Sequence, residues 1–207
     1  MGLFDQFISK KKSSLKLKKK TLKMIVKKTH FTEEEVTLLF DYYCDIAASQ
    51  EDDALIDRDE FEAVLGLKPC VFVDRLFAIF DQDGNGTIDF TEFCVCLSIF
   101  SDKASRDEKI NWSFKLYDLD GDKELTKDEM VKLLTGQLKG QSLRVSEKQI
   151  AELVDATFME AQTAKDNVIS EKEYVALCVK NPNMIAHMTL HAAITKKPVK
   201  KGSKKRR

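Results

Sequence analysis

Residues 81–92 read Asp81-Gln82-Asp83-Gly84-Asn85-Gly86-Thr87-Ile88-Asp89-Phe90-Thr91-Glu92. Oxygen-bearing side chains stand at the first, third and fifth places (Asp81, Asp83, Asn85), at the ninth (Asp89) and at the twelfth (Glu92). A hard divalent cation such as calcium takes six to eight oxygens, and short acids at alternating places in a tight loop turn inward to supply them. Thr87, at the seventh place, offers its backbone carbonyl. Gly86, at the sixth, permits the positive φ of the sharp turn. Glu92 reaches back with both carboxylate oxygens from the first turn of the following helix. Asp89 N-caps that helix, with Glu92 three residues on as its capping-box partner. A merely acidic surface loop has no need of this order.

The pattern recurs at residues 118–129. Asp118, Asp120 and Asp122 fill the first, third and fifth places, Glu124 gives its carbonyl at the seventh, and Glu129 closes the loop. Lys123 replaces the glycine, and a non-glycine residue at positive φ costs ~1–2 kcal/mol. A working site with some loss of affinity is expected. Two further copies are degenerate. Ile56 and Glu60 match the end of a loop, but Ser49, Glu51 and Ala54 do not match its start, unless a longer loop begins near Ala47 and uses carbonyls. In residues 162–173, Asp166, Asn167, Ile169 and Glu173 fit, but Gln162 and Ala164 replace the first two acids. No metal is expected there, only a scaffold. The closing acids Glu60, Glu92, Glu129 and Glu173 mark an internal repeat. The chain thus reads as an all-α EF-hand protein with two bound Ca2+ ions. Its four helix–loop–helix units pair into two lobes, 31–100 and 106–180, with short β-bridges such as Leu125 to Ile169.

Flanking patterns fill in the helices. Thr32 to Glu35 is a capping box that opens the first helix of the folded body, with Val36, Leu39, Phe40, Tyr43 and Ile46 on its apolar face. Pro69 opens the next. Residues 101–108 read as a polar linker, and Gly136–Val145 as a longer connector. Residues 182–194 predict a C-terminal helix. Its His187 and His191 have the spacing of a zinc pair, but Met188 follows His187 where an H-E-x-x-H motif needs Glu, so an ordinary helical pair is expected.

The net charge of zero hides an asymmetry. Residues 1–30 hold ten Lys and one acid, and residues 192–207 hold six Lys and two Arg with no acid, giving +9 and +8. The body between them therefore carries −17. The basic arms, 1–30 and 195–207, suit an acidic surface such as a microtubule or another polyanion. An anionic membrane is an alternative, nucleic acid suits them less, and a solvated arm is the plain reading. Gly2 invites lipidation, but Gln6 stands where the motif wants Ser or Thr. The five cysteines (44, 70, 94, 96, 178) form no C-x-x-C pair and sit among apolar residues, so reduced thiols and a cytoplasmic setting are expected. No run of eighteen apolar residues occurs. No nucleophile–base pair or phosphate-cradling glycine loop stands out, so a non-enzymatic protein is expected.

Residues 30–194 resemble the calcineurin-B-like and neuronal-calcium-sensor group. The likeness is carried by Asp74-Arg75-Leu76-Phe77, by Ser113 to Asp118, and by Asn183-Met184 with Met188 to Leu190. It implies a calcium sensor that engages a protein target through a hydrophobic groove. Within the group, Thr21-Leu22, Lys28 to Phe31, Glu35-Val36 and Lys127 to Met130 are similar to calaxin-like proteins of cilia and flagella, which implies a dynein- or microtubule-associated role. The alternative is a calcineurin-B-like sensor regulating a kinase or phosphatase. The Phe-Pro-Ser-Phe motif of the plant kinase-binding sensors has no match. A structural axonemal or cytoskeletal protein whose shape is fixed by Ca2+ is the third reading.

Overall fold

A computed structural model describes residues 16–47, 55–66, 68–140, 145–161 and 167–188. Its helices are α1 (Lys19–Lys28), α2 (Glu33–Ala47), α3 (Arg58–Leu65), α4 (Val71–Phe80), α5 (Phe90–Ser98), α6 (Arg106–Tyr117), α7 (Lys127–Gly140), α8 (Glu147–Ala161) and α9 (Glu171–Lys180). Two short strands, β1 (Glu124–Thr126) and β2 (Val168–Ser170), and a 3-10 segment (Pro182–Met188) complete the described order.

The helix starts follow from local chemistry. Asp57 with Glu60, Asp89 with Glu92, Ser105 with Glu108 and Ser170 with Glu173 form reciprocal capping boxes at α3, α5, α6 and α9. In three of these the closing acid of a loop is also the third residue of the helix that leaves it. Helix start and loop end are therefore set by the same side chain. Loop pairing then builds each lobe. β1 and β2 are antiparallel with Leu125 opposite Ile169, and Ile56 bridges Ile88 in the first lobe. All four of these side chains are fully buried. Around the first bridge, Tyr43, Phe61, Phe80, Phe90 and Phe93 pack ring against ring, while Phe114, Tyr117 and Tyr174 do so in the second lobe.

Several boundaries differ from the sequence expectation. The folded body begins before Thr32, because part of the basic arm is structured. Leu22, Ile25 and Val26 make an apolar stripe along α1, Ile25 is fully buried, and α1 packs on α2 and α5. The lysines that make this stretch look like a loose arm lie on the opposite side. Helix α4 starts at Val71 rather than Pro69, and α7 continues to Gly140, so its connector is shorter than expected. The linker narrows to 101–104 because Ser105 already caps α6.

Residues 182–188 form a 3-10 segment rather than the start of an α-helix. Its Ile185 is buried, Met184 is packed inward, and the segment lies on α6 and α9. Its continuation to 194, the His187 and His191 side chains, Gly2, the first fifteen residues and the tail 195–207 lie outside what is described.

Candidate calcium centres

Loop 81–92 begins where α4 ends, with the Asp81 N–H donating to Phe77 O at 2.8 Å. The chain then wraps its own amides around the acids. Asp81 accepts from Asn85 N at 3.0 Å through Oδ1 and from Gly86 N at 2.9 Å through Oδ2. Glu92 Oε1 accepts from Gln82 N and Asp83 N at 2.9 and 3.2 Å, and its Oε2 accepts from Asp89 N at 2.9 Å. Gly86 holds φ 85° at the turn.

Loop 118–129 repeats this. Asp118 accepts from Gly121 N at 2.8 Å and Lys123 N at 3.2 Å. Glu129 Oε1 accepts from Leu119 N at 2.9 Å and Asp120 N at 3.4 Å. Lys123 adopts φ 67°, the left-handed backbone that its place in the loop demands.

The sequence-derived residues fall into two sets. Oxygens of Asp81, Asp83 and Glu92 converge within 4.8 Å of one another, and so do those of Asp118, Asp120 and Glu129. Asn85, Thr87, Asp89, Asp122 and Glu124 lie in the same loops, and the side chains of Asn85, Asp89 and Asp122 accept local hydrogen bonds. Asn85 Oδ1 takes Thr87 N and the Thr87 hydroxyl. Asp89 Oδ1 takes the Glu92 N–H, and Asp122 Oδ1 takes Glu124 N at 2.8 Å. One residue that sequence reasoning passed over is Thr126. Its N–H and hydroxyl both donate to Glu129 Oε2, at 2.9 and 2.7 Å, and so orient the closing carboxylate. The Thr-x-x-Glu spacing of a capping box was the available signal.

Three like charges held this close repel one another, and Asp118 and Glu129, at 5% and 7% exposure, are screened little by water. The backbone amides offset part of that cost, and a divalent cation offsets the rest. The convergent donors are all hard oxygens, with no His or Cys among them, which fits Ca2+ rather than zinc. In the degenerate units the closing acids cap helices. Glu60 accepts from Asp57 N, and Glu173 from the Ser170 N–H and hydroxyl. The front of the first loop and residues 162–166 lie outside the described residues.

Comparison with known proteins agrees with this geometry. Residues 107–179 match the EF-hand domain pair model, and residues 72–100 match the EF hand domain model. The calcineurin B protein of Schizosaccharomyces pombe is 33% identical over 166 residues, which is 80% of this chain and 92% of that protein. The calcineurin B protein of Naegleria gruberi is 32% identical over 72% of this chain and 81% of its own length. Calcineurin B-like protein 5 of Arabidopsis thaliana is 28% identical over 82% of this chain and 85% of its own. These relatives favour the calcineurin-B-like alternative over the calaxin-like leaning. With its oxygen-lined loops and this likeness along most of its length, the chain belongs to the calcineurin-B-like family of EF-hand calcium-binding proteins.

Proposed function

We propose that the chain is a non-catalytic, calcium-responsive regulatory protein that docks an amphipathic helix of a larger partner, a phosphatase or kinase catalytic chain. One observation carries this. Each lobe has its outer helix pair covered by the protein's own ends, α2 and α5 by α1, and α6 and α9 by the 3-10 segment. The remaining helices, α3, α4, α7 and α8, keep apolar side chains in partial contact with solvent. Phe72, Phe77, Leu134 and Leu138 are half-buried, and Val71 and Leu153 are 44% and 57% exposed. A partner helix with apolar residues at i, i+3, i+4 and i+7 suits such a surface.

Bound Ca2+ supplies the charge that holds the loop carboxylates together. The chain's part is mechanical. Glu92 and Glu129 each sit on the exit helix of a loop, so drawing them toward Asp81 and Asp118 swings α5 against α4 and α7 against α6.

The lysines of α1 support a second contact. Lys19, Lys20, Lys23, Lys27 and Lys28 are exposed, while the helix's apolar stripe is used against the lobe. That leaves a polar, cationic face for an acidic polypeptide rather than an apolar face for a bilayer. A cytoplasmic setting is supported by the five free cysteines.

Affinity capture with the full chain, at high calcium and in chelator, tests the docking reading. Calcium-dependent recovery of a phosphatase or kinase catalytic chain is expected. Recovery of dynein or tubulin instead would favour the axonemal reading.

A further inference from the structure

We propose that Arg75 is a positioning residue that couples the two calcium loops across the boundary between the lobes. The inference rests on metal binding in those loops and not on the identity of any partner. Arg75 lies on α4, six residues before Asp81, in the helix that enters the first calcium loop. Its guanidinium does not bond within its own lobe in the described contacts. Nε and Nη2 donate to Lys115 O at 3.0 and 2.6 Å, and Nη2 also donates to Asp118 O. Both acceptors lie at the C-terminal end of α6.

The chemistry of that end explains the contact. The last carbonyls of a helix have no intrahelical donor, and a cation there also meets the negative end of the helix dipole. A guanidinium offers several donors in a fixed fork, so one side chain can serve two carbonyls at once. Asp118 is thereby held from two sides. Its N–H donates to Phe114 O at 3.0 Å and its carbonyl takes Arg75, while its carboxylate takes Gly121 N and Lys123 N. The first acid of the second calcium loop is anchored by a residue of the other lobe.

A second joint fixes the geometry. Helix α7, which leaves the same loop, crosses α4 at Gly136. A Cβ at Gly136 would lie 3.3 Å from Phe72 N and 3.5 Å from Phe72 Cβ. Thus α4 grips both helices that flank loop 118–129, α6 through Arg75 and α7 at Gly136. Metal capture that changes the angle between α6 and α7 must either strain one joint or carry α4 along. Helix α4 runs straight into Asp81, so loop 81–92 feels the change.

The test is calorimetric Ca2+ titration of the full chain, reading the affinity of loop 118–129 with loop 81–92 intact or disabled by Glu92→Gln. In the otherwise native chain Glu92→Gln is expected to shift that affinity about fivefold or more. In an Arg75→Met background the same substitution is expected to shift it less than twofold. Arg75→Lys keeps the charge but not the fork, and is expected to lose most of the coupling while retaining the fold. In metal-free protein both variants should speed hydrogen exchange at the Gly121 and Lys123 amides. A coupling ratio of one in the native chain would overturn the proposal. So would a ratio that survives both Arg75 substitutions, even if melting temperature falls. Retention of two bound ions after Glu129→Gln would instead refute the loop assignment itself.

Discussion

The backbones of Ile56 and Ile88 exchange two hydrogen bonds, Ile56 N to Ile88 O at 3.1 Å and Ile88 N to Ile56 O at 2.8 Å. This bridge joins the calcium loop to its degenerate neighbour, so a unit with few metal oxygens still has a structural task. The Tyr43 hydroxyl donates to the same Ile88 carbonyl at 2.8 Å from inside the core. One carbonyl therefore fastens helix α2, the first loop and the calcium loop together.

Tyr43→Phe removes the hydroxyl and leaves Ile88 O with its Ile56 donor. No acceptor is stranded, so the loss should be the net worth of one hydrogen bond, about 0.5–1.5 kcal/mol. Urea unfolding of the metal-free chain should show a lower midpoint with an unchanged slope. An unaltered midpoint would mean that the bond contributes nothing.

Glu92→Gln and Glu129→Gln each replace a closing carboxylate whose oxygens organise a loop. Each is expected to remove one Ca2+ from the stoichiometry measured by calorimetry, and the double variant to remove both. Glutamine keeps one acceptor oxygen, so either the Gln82 and Asp83 amides or the Asp89 amide loses its partner, but the Asp89 side chain still caps α5 and helix content should change little. Retention of two ions by the double variant would overturn the assignment of both sites.

The calcium loops are legible in sequence because cation chemistry dictates residue types at fixed spacing. Lys123 can be assigned a positive φ from its place alone. Capping boxes such as Ser105 with Glu108 are legible too, although the polar composition of 101–108 masks this one. Helix α1 is not legible as part of the body. Lysines interrupt its stripe, and only the α2–α5 surface gives Leu22, Ile25 and Val26 somewhere to go. Contacts such as Arg75 to Lys115, forty residues apart, leave no local pattern at all. The capping role of Asp89 is legible from its spacing to Glu92, whereas nothing in the sequence shows that Asp122 takes the Glu124 amide.

Glu108 gives a pH prediction. Its carboxylate caps Ser105 N at 2.8 Å and meets His30 Nε2 at 2.9 Å, tying the segment before α2 to the start of α6. The Ser105 hydrogen bonds, with His30 behind them, lower its pKa from 4.5 to about 2. A depressed carboxylate contributes stability above its unfolded pKa and loses it as pH falls through the folded one. The group is 41% exposed, so the effect should be modest. The native chain should melt higher than Glu108→Gln at pH 6, and the gap should close between pH 4.5 and 2. A gap that stays constant with pH would show that the carboxylate's charge is immaterial.

Lys123→Gly tests the strain in loop 118–129. Lysine at φ 67° costs ~1–2 kcal/mol, and glycine would remove that cost. Glycine also frees the unfolded chain, which costs about 0.4–1 kcal/mol in return. The difference leaves a net gain of up to about 1.6 kcal/mol in the metal-free protein, read as a higher melting temperature. Removing the lysine charge three residues from Asp120 should in addition raise calcium affinity at this loop. Lys123→Ala separates the two effects, since alanine loses the charge but keeps the strain. It should raise affinity without raising the metal-free melting temperature. If glycine and alanine behave alike in both measurements, the backbone at this place carries no strain.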